Sequence, residues 1–311
     1  MSTLKKSVEI VGHGIHSGVA VHMVVRPFDK KGIFFNRVDL PNSGLIPAKY
    51  DNVGETKMRN TTIGNPDGAH VQTIEHLMAA LFIAGIDSAV IDIDGPETPI
   101  LDGSAAEFYQ KFIDAGVTHG KIKKIVVRRP VVAHAAEARR GMNVFSRIKW
   151  WIINTAAGRK SNGYVKLEPN DKMSLDVTAV LIYPEKIIGN QTFSYSFDGS
   201  EKTVDVFVND ISRARTFGKF SEWEYLKKHG MARGANENNV IALNNSGDGT
   251  LNKTIWPDEF VRHKIIDVIG DMYTSGGFVV GKLTSFKGSH ALNNIVLKKL
   301  FSDPQNYDII E

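Results

Sequence analysis

A chain of 311 residues, 42% of them hydrophobic, is long for one core and comfortable for two domains. Its 38 basic residues nearly balance 34 acidic ones and form no Lys/Arg block, so nucleic acid is not an expected partner. There is no cysteine, which excludes disulfides, thiolate metal sites and cysteine nucleophiles and leaves His, Asp and Glu to hold any metal.

The N-terminus, MSTLKKSVEI, has neither the apolar region nor the cleavage site of a secretory signal. The longest apolar run, Leu77 to Ile86, is well short of the roughly 18 residues that span a bilayer. A soluble, cytoplasmic protein without a transmembrane segment is expected. In chain order, VEIVGHGIHSG reads as a strand entering a Gly/His-rich turn, and VAVHMVVRP as a half-buried strand. VQTIEHLMAALFIAGID then reads as a helix with Thr73 as N-cap, a stripe of Ile74, Leu77, Met78 and Leu81, and Gly85 closing it. An alternating strand, a Pro/Gly loop and a second helix from about Ser104 follow.

From KIKKIVVRRPVVAH onward the strand pattern begins again. This predicts domains of residues 1–124 and 125–311, each with strands and two helices. Residues 139–167 are basic, aromatic and aperiodic, and read as a surface insertion or a hairpin around KWWIINTAAGRKSNG. Further on, Pro257, Asp258 and Glu259 suit a helix start. In that helix Val261, Ile265, Val268, Ile269 and Met272 form one face, with His263, Asp267 and Asp271 opposite.

Four pieces could carry chemistry, and each has a bland reading. The His263/Asp267/Asp271 face has metal-ligand spacing, but describes many wet helix surfaces equally well. Adjacent Glu75 and His76 could divide proton transfer and metal ligation, or simply lie on a helix surface. His290, in FKGSHALNN, is either a catalytic or a plain loop histidine. In ISRARTFGKF, Thr216 offers a hydroxyl and Phe217 a flat face for a sugar ring, or merely a packed strand end.

Together, GHGIHSG, TIEHLMAAL, PILDGSAAEF, ISRARTFG, RHKIIDVIGD and HALNN, in this order, closely resemble the UDP-3-O-acyl-N-acetylglucosamine deacetylases of lipid A biosynthesis. The resemblance implies an α+β fold of two similar domains. Each has a mainly antiparallel sheet, helices pack between the two sheets, and the site lies between the domains. It implies one Zn2+ per chain held by His76, His263 and Asp267, with Glu75 as the general base that activates water. Thr216 would stabilise the oxyanion. His290, kept protonated by Asp271, would protonate the leaving amine. Lys264 would face substrate charge, Phe217 the glucosamine ring, and Phe220 and Trp223 the acyl chain, with Asn60 and His16 near the substrate. The implied partner is an acylated UDP-sugar, met by a monomer in transient contact with a membrane surface.

Two other readings are a zinc amidohydrolase for a different acylated sugar nucleotide and a binding protein without turnover. The sequence departs from the family pattern in three places. Ser289 stands where Gly usually precedes the histidine, a costly change if that position needs positive φ. RGANENN lacks a second glycine after Gly234, and the stretch 139–167 holds roughly two dozen residues more than the family normally spends before the next strand.

Overall fold

A computed structural model describes residues 1–54, 60–139, 162–228, 230 and 232–311. The protein is α+β. A five-stranded sheet runs in the order Val8–His13, Ala20–Pro27, Ser88–Ile93, Gly32–Arg37, Leu45–Pro47, antiparallel except where Gly32–Arg37 pairs with Ser88–Ile93. Alternation builds it: Val21, Met23 and Val25 turn inward while Ala20 and His22 face out.

A seven-stranded sheet is organised around Phe278–Phe286. That strand pairs with Tyr164–Glu168 on one side. On the other it pairs with Lys124–Val127 at its start and Leu175–Ile182 further along, both parallel. Val131–His134, Asn190–Phe197 and Tyr307–Ile310 complete the sheet through antiparallel pairs. The expected insertion therefore ends too late. Tyr164 to Leu167 are sheet residues, with Val165 and Leu167 buried by the same alternation that the preceding aperiodic stretch obscures. Residues 140–161, with most of the expected hairpin, lie outside the described residues.

Among the described residues the helices are α1 (Glu75–Ile83), α2 (Ala106–Ala115), α3 (Glu201–Asp210), α4 (Phe220–Lys228), α5 (Glu259–Tyr273) and α6 (His290–Phe301). Two helices after residue 124 were expected; the described residues there hold four. The short helices α3 and α4 escape a periodicity reading because they bury little: only Phe207 in α3 and no residue of α4.

Helix α1 is buried at all nine of its residues, so it has no single apolar stripe. It packs against α2 and α5, and Phe82 stacks on Phe278 of the larger sheet at a centroid distance of 4.9 Å. Its N-cap is Ile74, not Thr73. Thr73 sits at φ 58°, and its hydroxyl donates to Glu97 instead of capping the helix. Gly85, at φ 69°, closes α1 as expected.

Helices α1 and α5 meet backbone to backbone at Gly270, where a Cβ would lie 1.9 Å from the Glu75 carbonyl oxygen. No side chain can yield there, because the obstacle is main chain. Gly270→Ala is expected to lower unfolding free energy by at least about 1–3 kcal/mol in a denaturant titration, the usual range for overpacking. A change below about 0.5 kcal/mol, the scale of a neutral surface substitution, would show that the helices separate freely.

Candidate active site

Helix α5 begins at Asp258, and its first residue, Glu259, is fully buried. The Glu259 carboxylate accepts from the Arg215 N–H at 3.1 Å, the Arg215 Nε–H at 3.0 Å and the Ile255 N–H at 2.5 Å. One turn later the His263 Nδ1–H donates to the Ala214 carbonyl at 3.0 Å. Segment 214–216 is thus pinned along the start of α5, which brings Thr216 and Phe217 to the same end of the helix. Phe217 packs edge-on to Phe260 and His263, with centroids 5.1 and 6.3 Å away.

The bond to Ala214 assigns the His263 proton to Nδ1 and leaves Nε2 as a ligand nitrogen. His263 Nε2 lies 3.4 Å from Asp267 Oδ1, and His76 Nε2, arriving from α1, lies 3.6 Å from the same oxygen. One ligand atom from each of these three residues falls within 4.8 Å of the others. The supposed wet face of α5 is therefore an interior surface. His76, His263, Asp267, Asp271, Glu75 and His290 are only 2–7% exposed.

The other groups sit around this cluster. Glu75 Oε2 accepts the Thr61 N–H at 3.0 Å, and Glu75 Oε1 lies 3.8 Å from His290 Nε2. His290 Nδ1–H donates to Asp271 Oδ2 at 2.8 Å. His290 is not a loop residue: it opens α6, with Ser289 as N-cap. Ser289 has φ −154°, ordinary extended backbone, and its hydroxyl accepts the Leu292 N–H. The expected penalty for replacing glycine is absent, because the position needs a cap and no positive φ.

Burial, with the negative charges of Asp271 and Asp267 adding to it, raises the Glu75 carboxyl above its ordinary range against the pull of His290 and His76. Burial drives the His263 imidazole down to about 3, with His76 and Lys264 adding to the effect and Asp267 opposing it. His290 goes the other way. Burial opposes its charge, but Asp271, Glu75 and Asp267 prevail and push its pKa up to about 10. For Asp267 burial is likewise overcome, here by Lys264, His263 and His290, which hold its carboxyl well below the usual range.

The remaining candidates lie further out. Lys264 Nζ pairs with Asp267 Oδ2 at 2.7 Å and lies 5.6 Å from the Phe217 ring centroid. Thr216 is half-buried, held through its backbone to Gly103 and Ile241. Phe220 meets Trp223 edge-on at 5.5 Å, and Trp223 packs on a separate apolar cluster of Ile15, Ile100, Ala232, Ala235 and Val240. Asn60 is buried, and its amide donates to Thr73 at 2.9 Å. The His16 N–H donates to the Glu97 carboxylate at 3.0 Å. RGANENN folds onto the same turn: the Arg233 and Gly234 N–H groups donate to His16 and Ile15 carbonyls. Its Asn239 side chain donates back to Gly234 at 3.0 Å.

Sequence reasoning gave no role in the site to five residues that shape this region: Thr61, Asn293, Glu97 and the Arg215–Glu259 pair. Glu259 did show a signal, an acidic residue in a helix's first turn, but that was read as a dipole effect. Thr61 and Glu97 lie in irregular loops where periodicity offers none.

A family model described as LpxC, UDP-3-O-acyl N-acetylglycosamine deacetylase, matches residues 1–302. The chain is 38% identical over 310 residues to a UDP-3-O-acyl-N-acetylglucosamine deacetylase from a Nitratiruptor species, covering 99% of this chain and 93% of the relative. Deacetylases of the same name from two strains of Helicobacter pylori are each 34% identical over 310 residues, covering 99% of this chain and 94% of theirs.

Proposed function

Since the chain belongs to the UDP-3-O-acyl-N-acetylglucosamine deacetylase family, we propose that it hydrolyses the acetamide of UDP-3-O-acyl-N-acetylglucosamine to acetate and UDP-3-O-acyl-glucosamine, the committed step of lipid A biosynthesis, using one zinc ion. The observation that carries this reading is the buried convergence of His76, His263 and Asp267 beside Glu75 and His290. Two imidazole nitrogens and one carboxylate oxygen suit zinc, and the Ala214 carbonyl already turns the correct His263 nitrogen toward the cluster. Zinc held there supplies a Lewis acid for the amide carbonyl and lowers the pKa of the attacking water.

The chain's own groups do the rest. Glu75 takes the water proton on Oε1, its Oε2 being committed to the Thr61 N–H; burial raises its basicity for this task. His290, charged at neutral pH, gives its Nε2 proton to the departing nitrogen and holds Nδ1–H on Asp271. Thr216 supports the carbonyl oxygen as negative charge develops. Lys264 adds positive charge beside Asp267, and Phe217 offers its face to the glucosamine ring. Asn60 and His16 border the substrate. We divide the chain at residue 124/125, with the site between the two parts, and read the protein as a cytoplasmic monomer. Among the described residues no helix is long and apolar enough to cross a membrane.

Purified protein should carry one zinc and release acetate from the acylated UDP-sugar; a zinc-loaded protein that releases none would overturn the reading. The pH profile supplies a second check. His290 works only while protonated, so activity should fall as pH rises through about 10. Asp271→Asn removes the nearest carboxylate charge, so the alkaline limb should move to lower pH. For the acyl chain, Phe220 and Trp223 are the proposed contacts. Trp223→Ala is expected to raise KM for long-chain substrates about tenfold and for short-chain ones less than about twofold, since only the long chain loses apolar burial.

A further inference from the structure

Thr61 stands between the two proton-handling groups of the site. It is 2% exposed, its N–H donates to Glu75 Oε2 at 3.0 Å, and its hydroxyl donates to Asp271 Oδ1 at 2.5 Å. Asp271 is consequently held at both oxygens: Oδ1 by Thr61, and Oδ2 by His290 Nδ1–H and the Asn293 amide, each at 2.8 Å. The torsion that turns a carboxylate is broad, so partners on Oδ2 alone leave its plane loosely defined. A second anchor on Oδ1 defines that plane, and with it the direction in which the His290 ring points.

We propose that Thr61 is a positioning residue for the hydrolysis. Its hydroxyl fixes the Asp271 carboxylate and thereby aims His290 Nε2 at the departing nitrogen. Its N–H occupies Glu75 Oε2, so that Oε1 is the oxygen presented to the attacking water. One residue thus sets the base and the acid in register, although they are carried on different helices, α1 and α6. Threonine suits the task because its hydroxyl and its own N–H serve two different carboxylates at once. The inference rests on the roles given above to Glu75, Asp271 and His290.

The test compares Thr61→Val, which keeps shape and N–H but lacks the hydroxyl, with Thr61→Ser, which restores it. Thr61→Val should bind zinc as the wild type does, lose kcat about tenfold or more and change KM less than about twofold. Thr61→Ser should recover most of the rate. Asp271→Asn should be crippled, and adding Thr61→Val to it should cost little more, because both changes disable one unit. Should Thr61→Val not fold, Thr61→Ala replaces it in the same comparison. A Thr61→Val rate within about twofold of wild type, or full multiplication of the two single effects, overturns the inference and leaves the reaction assignment standing. A wild-type rate in Asp271→Asn removes the reading on which the inference rests.

Discussion

Glu75→Gln is expected to retain its zinc and substrate affinity while losing kcat by about 10²–10⁴-fold, the range for removing a general base. The two side chains have nearly the same shape, so the buried packing of α1 survives. The Gln oxygen can still accept the Thr61 N–H that Glu75 Oε2 accepts at 3.0 Å. The amide nitrogen then occupies the place of Oε1, and it donates where the reaction needs an acceptor. The loss should therefore fall on kcat with KM nearly unchanged, as for an interaction made only in the transition state. Steady-state acetate release with a parallel metal analysis decides the matter. Loss of zinc would instead make Glu75 a ligand, and a rate within about tenfold of wild type would leave the reaction without this base.

His263→Ala should fail earlier, at the metal. It leaves two protein donors where a catalytic zinc site uses three. Changes to groups that merely orient ligands weaken zinc by about 10–100-fold, so loss of a ligand itself should weaken it by on the order of 10²-fold or more. The substitution also strips the Ala214 carbonyl of its partner at 3.0 Å, loosening the segment that carries Thr216. Zinc content after dialysis should fall well below one per chain, and activity with it. His76→Ala should behave alike at the metal without the second effect, since the described hydrogen bond to Ala214 belongs to His263 alone. Full zinc occupancy and full activity in both variants would refute the ligand assignment. The contrast with Glu75→Gln, inactive yet zinc-loaded, separates the base from the ligands.

How much of this was legible beforehand differs from residue to residue. The α5 pattern was visible in RHKIIDVIGD, with its start at Asp258 and Glu259 and its His263/Asp267/Asp271 spacing. Its environment was not. Spacing makes a polar stripe, and only a second helix lying against that stripe makes it an interior. Gly270 is the local reason for so close an approach, and a glycine within a helix reads from sequence merely as a weak point. The same limit explains the errors. Thr73 has the right chemistry for a helix cap, but Glu97, 24 residues away, claims its hydroxyl. Ser289 looked like a defect where glycine was usual, and in three dimensions it caps α6.

By itself the sequence determined the α+β class, the start of α5 and the family, because these depend on local propensity, spacing and motif order. It also limited metal ligands to His, Asp and Glu through the lack of cysteine. Tertiary structure alone decided that His76 and Asp267 meet 3.6 Å apart, that Glu259 ties Arg215 to α5, and that Thr61 links Glu75 to Asp271. These contacts join residues 14 to 210 positions apart, and no periodicity along the chain encodes them. They exist because buried polar groups must find partners once the helices close together, and packing determines which partners are within reach.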